Sequence, residues 1–262
     1  MATSVARIVI AGLSGDSGKT IVSLSFLTAL RQRGLSVSVF KKGPDYIDPA
    51  WLSSATGTAC RNLDTFMVAP AVVLQRFVSH AGNSDIAVIE GNRGIFDGRD
   101  AEGKHSTAEL AKLLGAPVVL VVNATKVTRT VAAVVKGCLD FDPGVKIAGV
   151  VLNRVAGKRH LSVISDSITA YCGVAVVGAI PKLGRDSALI PGRHLGLVTP
   201  AEFGNGHVGE AGQTGADLES RLRGIADDHL DIDRMIEIAR NAGPVESKTP
   251  PEEKTGKPGE AK

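Results

Sequence analysis

The residues best placed to do chemistry lie in one short stretch, Ala11-Gly-Leu-Ser-Gly-Asp-Ser-Gly-Lys-Thr20. It sits between an apolar run over Val5–Ile10 and a helical pattern from Ile21 onward. A strand, a Gly-rich loop, Lys-Thr and a helix in that order are the parts of a phosphate cradle. The backbone N–H groups of Gly15, Asp16, Ser17 and Gly18 can point at phosphate oxygens, helped by the start of the helix. Lys19 reaches toward terminal phosphates, Thr20 offers its hydroxyl to a bound Mg²⁺, and Ile21 carries the loop into the helix. The standard spacing puts the first glycine where Leu13 stands. Here it is Gly12, so the loop is one residue longer.

Other polar clusters follow other apolar runs. Phe40-Lys-Lys-Gly-Pro-Asp-Tyr-Ile-Asp-Pro-Ala-Trp51 crowds two lysines and two aspartates around a Gly-Pro turn. Lys41 or Lys42 can neutralise a transferring phosphoryl group, and Asp45 can take a metal or orient a nucleophile. On its own the turn reads equally well as a solvated charged face. In Ala87-Val-Ile-Glu-Gly-Asn-Arg-Gly-Ile-Phe-Asp-Gly98, Glu90 stands where a second anchor for Mg²⁺ belongs. Three glycines let this loop lie close to a ligand, and Asp97 is its other acid before Asp100. Asn153, in Val151-Leu-Asn-Arg-Val155, carries an amide that can pair with a purine edge or cap a turn, and Arg154 follows it on the nucleotide side. Thr125–Arg129 is polar lining, and His105 and His194 are single loop histidines, which more often are not bases.

The elements that must hold these residues alternate along the chain. Apolar runs at Val5–Ala11, Ser36–Lys41, Asp85–Glu90, Pro117–Ala124, Lys146–Asn153 and Val174–Ile180 predict strands. Helical patterns fill Lys19–Arg33, Ala69–His80, Ser106–Leu114, Thr128–Leu139 and Arg159–Tyr171. Such alternation implies an α/β fold, a mostly parallel sheet flanked by helices with right-handed crossovers. Ligands then bind beyond the carboxyl ends of the strands, where the polar clusters sit. Pro181–Leu189 reads as a loop, Leu195–Thr199 as a short strand and Gly204–Gly215 as a mobile Gly-rich stretch. Leu218–Asp227 and Ile232–Ala242 read as two closing helices, the second capped by Asp231. Residues 1–242 are expected to form one domain, and the Pro-, Lys- and Glu-rich residues 243–262 a disordered tail or linker.

Composition narrows the class. Hydrophobic residues make up 44% of the 262, but aromatics only 4%, so the core is built from Val, Ile, Leu and Ala. The net charge of +3 comes without a basic stripe, so no nucleic acid is expected. Three scattered cysteines without a C-x-x-C pair point to reduced packing residues rather than a disulfide or zinc framework. With neither a leader pattern nor an apolar run of membrane length, the expectation is a soluble cytoplasmic protein without membrane contact.

Taken together, the phosphate loop, Lys-Lys-Gly-Pro-Asp-Tyr-Ile-Asp-Pro49, Cys-Arg-Asn-Leu-Asp64 and Glu-Gly-Asn-Arg-Gly-Ile-Phe-Asp-Gly98 resemble the synthetase domain of cobyrinic acid a,c-diamide synthases. The resemblance continues through Ser106-Thr-Ala-Glu-Leu-Ala111 and Gly149-Val-Val-Leu-Asn-Arg154 to about Pro200. It implies a P-loop NTPase fold of the dethiobiotin synthetase-like type, which shares the lengthened loop. It further implies amidation of the a and c acetates of a corrinoid, using ATP, Mg²⁺ and ammonia drawn from glutamine. By the same resemblance ATP phosphates go to Gly15–Thr20, and Mg²⁺ to Thr20, Asp45 and Glu90. Asn153 goes to the adenine, and Tyr46, Asp48 and Asp97 lie near the substrate carboxylate. Lys19, Lys42, Asp45, Tyr46, Glu90 and Asp97 are the expected catalytic set.

Two departures stand out. Members of this family normally continue into a glutamine amidotransferase domain, and Cys172 lacks the context of its nucleophile. Ammonia is therefore expected from solution or from a separate glutaminase subunit, and a homodimer is one expected assembly. Asn123 stands where most relatives are expected to carry Asp, which removes one negative charge near the metal. Three alternatives accompany the main reading: a related tetrapyrrole such as nickel sirohydrochlorin as substrate, a non-catalytic nucleotide-binding subunit, and a chromosome-partitioning ATPase switch. The last carries a signature lysine early in its phosphate loop, where this chain has Ser14 and Asp16.

Overall fold

The computed structural model describes residues 5–183, 192–193, 196–197, 199–200 and 215–245. Strands β1 (Arg7–Gly12), β4 (Ile86–Gly94), β5 (Val118–Asn123) and β6 (Ile147–Val155) are buried almost throughout, because helices cover the sheet on both faces. With β2 (Val37–Lys42), β3 (Arg61–Leu63) and β7 (Ala175–Pro181) they form a seven-stranded sheet in the order β3-β2-β4-β1-β5-β6-β7. Every pairing in it is parallel, as the α/β reading requires. Gly192–Arg193 and Gly196–Leu197 make a separate antiparallel pair, β8 and β9.

Alternation along each strand sorts the side chains into two cores. Ile8 and Ile10 face α1 (Lys19–Gln32), α2 (Ile47–Thr56) and the closing helices α7 (Gly215–His229) and α8 (Ile232–Arg240). Val9 and Ala11 face α3 (Pro70–Ala81), α4 (Thr107–Leu114), α5 (Thr130–Phe141) and α6 (Lys158–Cys172). Full burial of each such aliphatic side chain contributes about 1.5–3 kcal/mol. No described helix is long and apolar enough to cross a membrane.

Arg7 places a charge inside this core, away from the polar clusters. Arg7, fully buried on the Val9 face, donates to the carbonyls of Leu114 at 2.6 Å and Gly115 at 3.0 Å, and to Val5 at 3.0 Å. It thus satisfies carbonyls at the C-terminus of α4, where a cation also meets the negative end of the helix dipole. Burial lowers its guanidinium to about 10.

Two elements depart from the sequence reading. The stretch after Tyr46, expected as a ligand loop, becomes α2: Pro49 falls in its first turn, where a missing N–H is harmless. β3 is three residues on the sheet edge, too short and polar to show a period. β4 and β6 also run on to Gly94 and Val155, so Asn153 lies within a strand rather than after it. Asp231 caps α8 as expected, its carboxylate accepting the Arg234 N–H. Most of the Pro181–Leu189 loop, the Gly204–Gly215 stretch and most of the proposed tail lie outside the described residues. Val245, inside that tail, is buried.

Candidate functional site

The phosphate loop leaves β1 at the centre of the sheet, where strand order reverses, and enters α1 at Gly18. It is folded around Ser17, whose hydroxyl accepts the Ser14 N–H at 3.0 Å and donates to the Ser14 carbonyl at 2.7 Å. Gly18 has φ +98°, and a Cβ there would stand 2.1 Å from the Asn153 amide nitrogen. That amide donates to the Ser17 carbonyl at 2.9 Å, so Asn153 braces the loop from β6. Arg154 adds an ion pair to Asp16 at 3.0 Å. Gly15 is exposed at the tip, and Ile21 packs inward against the α1-side core. α1 starts with no side-chain cap and no acid in its first turn, which leaves its first N–H groups and its positive dipole end for an anion.

Lys19 is buried and spans the mouth of this loop. Its ammonium donates to the carbonyls of Ser14 at 3.1 Å and Arg93 at 2.9 Å. Burial pulls its pKa below the ordinary lysine value, against the charge of Glu90. Two carbonyls hold the place that phosphate oxygens would take.

Behind Thr20 lies a buried charge network. Glu90, fully buried midway along β4, accepts from the Thr20 hydroxyl at 3.1 Å and from Lys41 at 2.8 Å. Lys41 also meets Asp48 at 2.5 Å and lies 3.8 Å from Asp45. Burial lowers the Lys41 pKa, but Glu90 and Asp48 overcome this and hold it above the ordinary value. Asp45 also acts on the backbone. Its other oxygen accepts the N–H groups of Ile47 at 3.0 Å and Asp48 at 3.3 Å, which starts α2.

This donor set fits Mg²⁺. The Lys41 ammonium stands among three carboxylates and Lys19 feels the charge of Glu90, so the group keeps one formal negative charge in excess. The second Glu90 oxygen is buried without a hydrogen-bond partner. Among the described residues no three His, Cys, Asp or Glu gather into a ready-made cage. Mg²⁺ beside a nucleotide needs only one or two protein oxygens, with waters and substrate phosphates completing its shell. Asn123 supplies no ligand here: its amide oxygen accepts from Thr125 N–H and hydroxyl.

The structure therefore brings Lys19, Thr20, Asp45 and Glu90 together, with Lys41 and Asp48 as the residues that join them. Lys42 is not part of this group. It shares the opposite sheet face with Phe40, because successive residues of β2 point to opposite sides. It lines a separate cavity of about 420 Å³ with Asp64, Phe66, Arg93, Asp97, Arg99 and His105. Asp97 accepts the Gly94 N–H at 2.8 Å, and Tyr46 stands 80% exposed beside the α2 start. His105 is bonded to the Thr65 hydroxyl at 3.1 Å. Cys172 donates to the Ala132 carbonyl, and burial raises its thiol pKa.

Residues 8–195 match the protein family described as CobQ/CobB/MinD/ParA nucleotide binding domain. Over 92% of the chain it is 44% identical to a cobyrinate a,c-diamide synthase of Magnetococcus marinus, covering 49% of that protein. It is 40% identical over 93% to the enzyme of the same name from Archaeoglobus fulgidus, covering 51%. It is 43% identical over 92% to a hydrogenobyrinate a,c-diamide synthase of Streptomyces coelicolor, covering 48%. The chain thus spans about half the length of these relatives. A solved chloroplast FtsY from Physcomitrella patens overlays 66% of the chain and 58% of its own at TM-score 0.49 and 15% identity.

Proposed function

The chain belongs to the CobQ/CobB/MinD/ParA nucleotide-binding domain family, and from that premise we propose that it is the synthetase part of an ATP-dependent amide-forming ligase. Its acceptors are the a and c acetate carboxylates of cobyrinic or hydrogenobyrinic acid, in cobalamin biosynthesis. One observation carries this reading. The phosphate loop and the Gly-Pro-Asp-Tyr-Ile-Asp stretch meet on one buried carboxylate, Glu90, through Thr20 and Lys41.

The chemistry follows from leaving groups. Ammonia cannot displace oxide from a carboxylate at neutral pH. In the proposed reaction a carboxylate oxygen attacks the γ-phosphorus of ATP, the bond to the β-phosphate oxygen breaks, and ADP departs. Ammonia then attacks the acyl carbon of the acyl phosphate; inorganic phosphate leaves and a proton is released, giving the amide. Positioning and charge neutralisation are the protein's main contribution to phosphoryl transfer.

Gly15–Thr20 hold the phosphates. Lys19 exchanges its two carbonyls for phosphate oxygens and follows the charge that moves toward the β–γ bridge. Thr20 and Glu90, with Asp45 close by, would hold Mg²⁺, which when bound neutralises phosphate charge. Lys41 fixes Glu90 and Asp48 so that neither turns toward the incoming anion. Asn153 and Arg154 hold the loop to β6 beside the adenine end. Nitrogen comes from free ammonia or from a glutaminase unit.

The direct test supplies the chain with ATP, Mg²⁺, ammonium and cobyrinic acid, and follows ADP together with mono- and diamide masses. Amide formation tied to ADP release is expected. Folded protein that binds ATP but yields no amide from cobyrinic or hydrogenobyrinic acid overturns this assignment.

A further inference from the structure

We propose that His160 is a positioning residue of the nucleotide site, fastening the loops after β5 and β6 into the wall that receives the nucleoside. This deepens the ligase reading and rests on it for the side of the phosphate loop that the nucleoside takes.

The first support is a ring with both nitrogens engaged. His160 lies half-buried in the first turn of α6. Its Nδ1 accepts the Ala156 N–H at 3.0 Å, and its Nε2 meets the Val127 carbonyl. An amide N–H can only donate and a carbonyl can only accept, so the partners dictate the state of the ring. They need an imidazole with its proton on Nε2 and a lone pair on Nδ1. Any other state breaks one of the two ties. Starting α6 would account for the Ala156 bond, but not for the reach across to Val127.

The second support is what the ring joins. Ala156 follows β6 directly, shortly after Asn153 and Arg154, and Val127 lies in the turn between β5 and α5. Asn153 is itself held on several sides. Its carbonyl accepts the Ala124 N–H at 2.8 Å, its amide oxygen accepts the Arg154 N–H at 2.9 Å, and its amide nitrogen reaches Ser17. The Ala124 bond and the His160 bridge thus tie the same two loops, one at Asn153 and one beyond it. The end of β7 joins them, as the Lys182 N–H reaches the Val155 carbonyl at 3.0 Å. Lys19 and Thr20, bonded to Arg93 and Glu90, mark the β4 side as the end for the terminal phosphates. That leaves the β6 side for the nucleoside.

The third support is strain. Lys126 and Arg154, one in each loop, have φ of +58° and +62°. A left-handed backbone is costly for a residue with a Cβ and persists only where its surroundings over-determine it. His160 is a side chain that spans the gap between these two strained turns.

The test is calorimetric titration of the chain with ATP and with inorganic tripolyphosphate, comparing the parent with His160→Asn and His160→Gln. Asn places an amide oxygen near the Nδ1 position and keeps the Ala156 tie. Gln places an amide nitrogen near the Nε2 position and keeps the Val127 tie. A bridge needs both ends, so each variant is expected to weaken ATP about tenfold, a change of about 1.4 kcal/mol, and to leave tripolyphosphate unchanged. If the ring only starts α6, His160→Asn binds ATP as the parent does, and the inference falls. Loss of ATP and tripolyphosphate together also overturns it, because the phosphate loop itself would then depend on His160. In the parent near neutral pH, nitrogen NMR should find a proton on the His160 Nε2 and none on Nδ1. A proton on Nδ1 overturns the bridge whatever the variants do. Selective loss of ATP in the variants, with no amide formed by the parent, supports the wall and defeats the ligase reading alone.

Discussion

Lys41 and Glu90 are Cα partners across the parallel strands β2 and β4, and their side chains meet at 2.8 Å with 1% and 0% of their surface exposed. The pair forms because the two residues lie in register on the same sheet face, and α1 closes over them with Thr20 in contact. Neither charge has water to fall back on.

Lys41→Met should therefore destabilise the fold by about 3–5 kcal/mol, since it strands Glu90 and Asp48 without their cation. Lys41→Met/Glu90→Gln should recover a good part of that loss. Urea unfolding of the single and double variants reads this coupling directly. Additive effects would show that the pair does not act as a unit.

Glu90→Gln should fold, because its amide can still meet Thr20, yet lose Mg²⁺-dependent ATP turnover. Removing one charge contact of this kind is expected to lower kcat by about 10²–10³. Steady-state ADP release at varied Mg²⁺ checks it. Wild-type rates would remove Glu90 from the metal assignment.

Asp45→Asn separates two roles of one side chain. An Asn side-chain oxygen can accept the same Ile47 and Asp48 N–H groups, so the thermal midpoint should hold. Loss of turnover with an unchanged midpoint assigns Asp45 a role at the metal. Unchanged turnover leaves it as the device that starts α2.

Arg7→Met should destabilise by about 3 kcal/mol, because the Leu114 and Gly115 carbonyls lose charged donors and remain buried. Calorimetric melting measures this, and a change below about 0.5 kcal/mol would refute it.

Asp85 gives the pH dependence. The Ser36 hydroxyl and N–H, both at 2.7 Å, hold its carboxyl below the ordinary aspartate value of 3.8. The folded state binds that proton less readily than the unfolded chain. The stability it contributes is present above pH 3.8 and fades as pH falls through the lower folded value. Asp85→Asn should flatten the fall in stability over that acid range, as read by denaturant midpoints at successive pH values.

Six of the sheet's seven strands were legible in the sequence because near-continuous Val, Ile and Leu runs leave no other use for themselves, whereas the short polar β3 and the helix α2 beside it were not. The choice between Lys41 and Lys42 was legible too, though only through strand parity. Lys41 falls on the Val39 face toward α1, and Glu90 lies in step with Val88 on that same face. Counting by twos from the core would have chosen Lys41 over Lys42. What spacing does not reveal is the company a charge keeps. Arg7 sits in a run otherwise apolar, and the helix end that receives it lies 107 residues further on. Asp64 and Arg99 likewise line one cavity only because β3 joins the sheet edge beside β2 and the loop after β4 turns toward it.

The order β3-β2-β4-β1-β5-β6-β7 also bears on how such a chain can be recombined. The first four strands fill one wing, with the phosphate loop at its inner border and the Lys42 cavity beyond. The last three fill the other wing, which reaches back to the loop through Asn153 and Arg154. A chimera joined within α4 would exchange one whole wing for another in a single crossover. To stay whole, it must keep Arg7 matched to its carbonyls, the Asn153 brace matched to Ser17 and Gly18, and the closing helices α7 and α8 matched to α1 and β1.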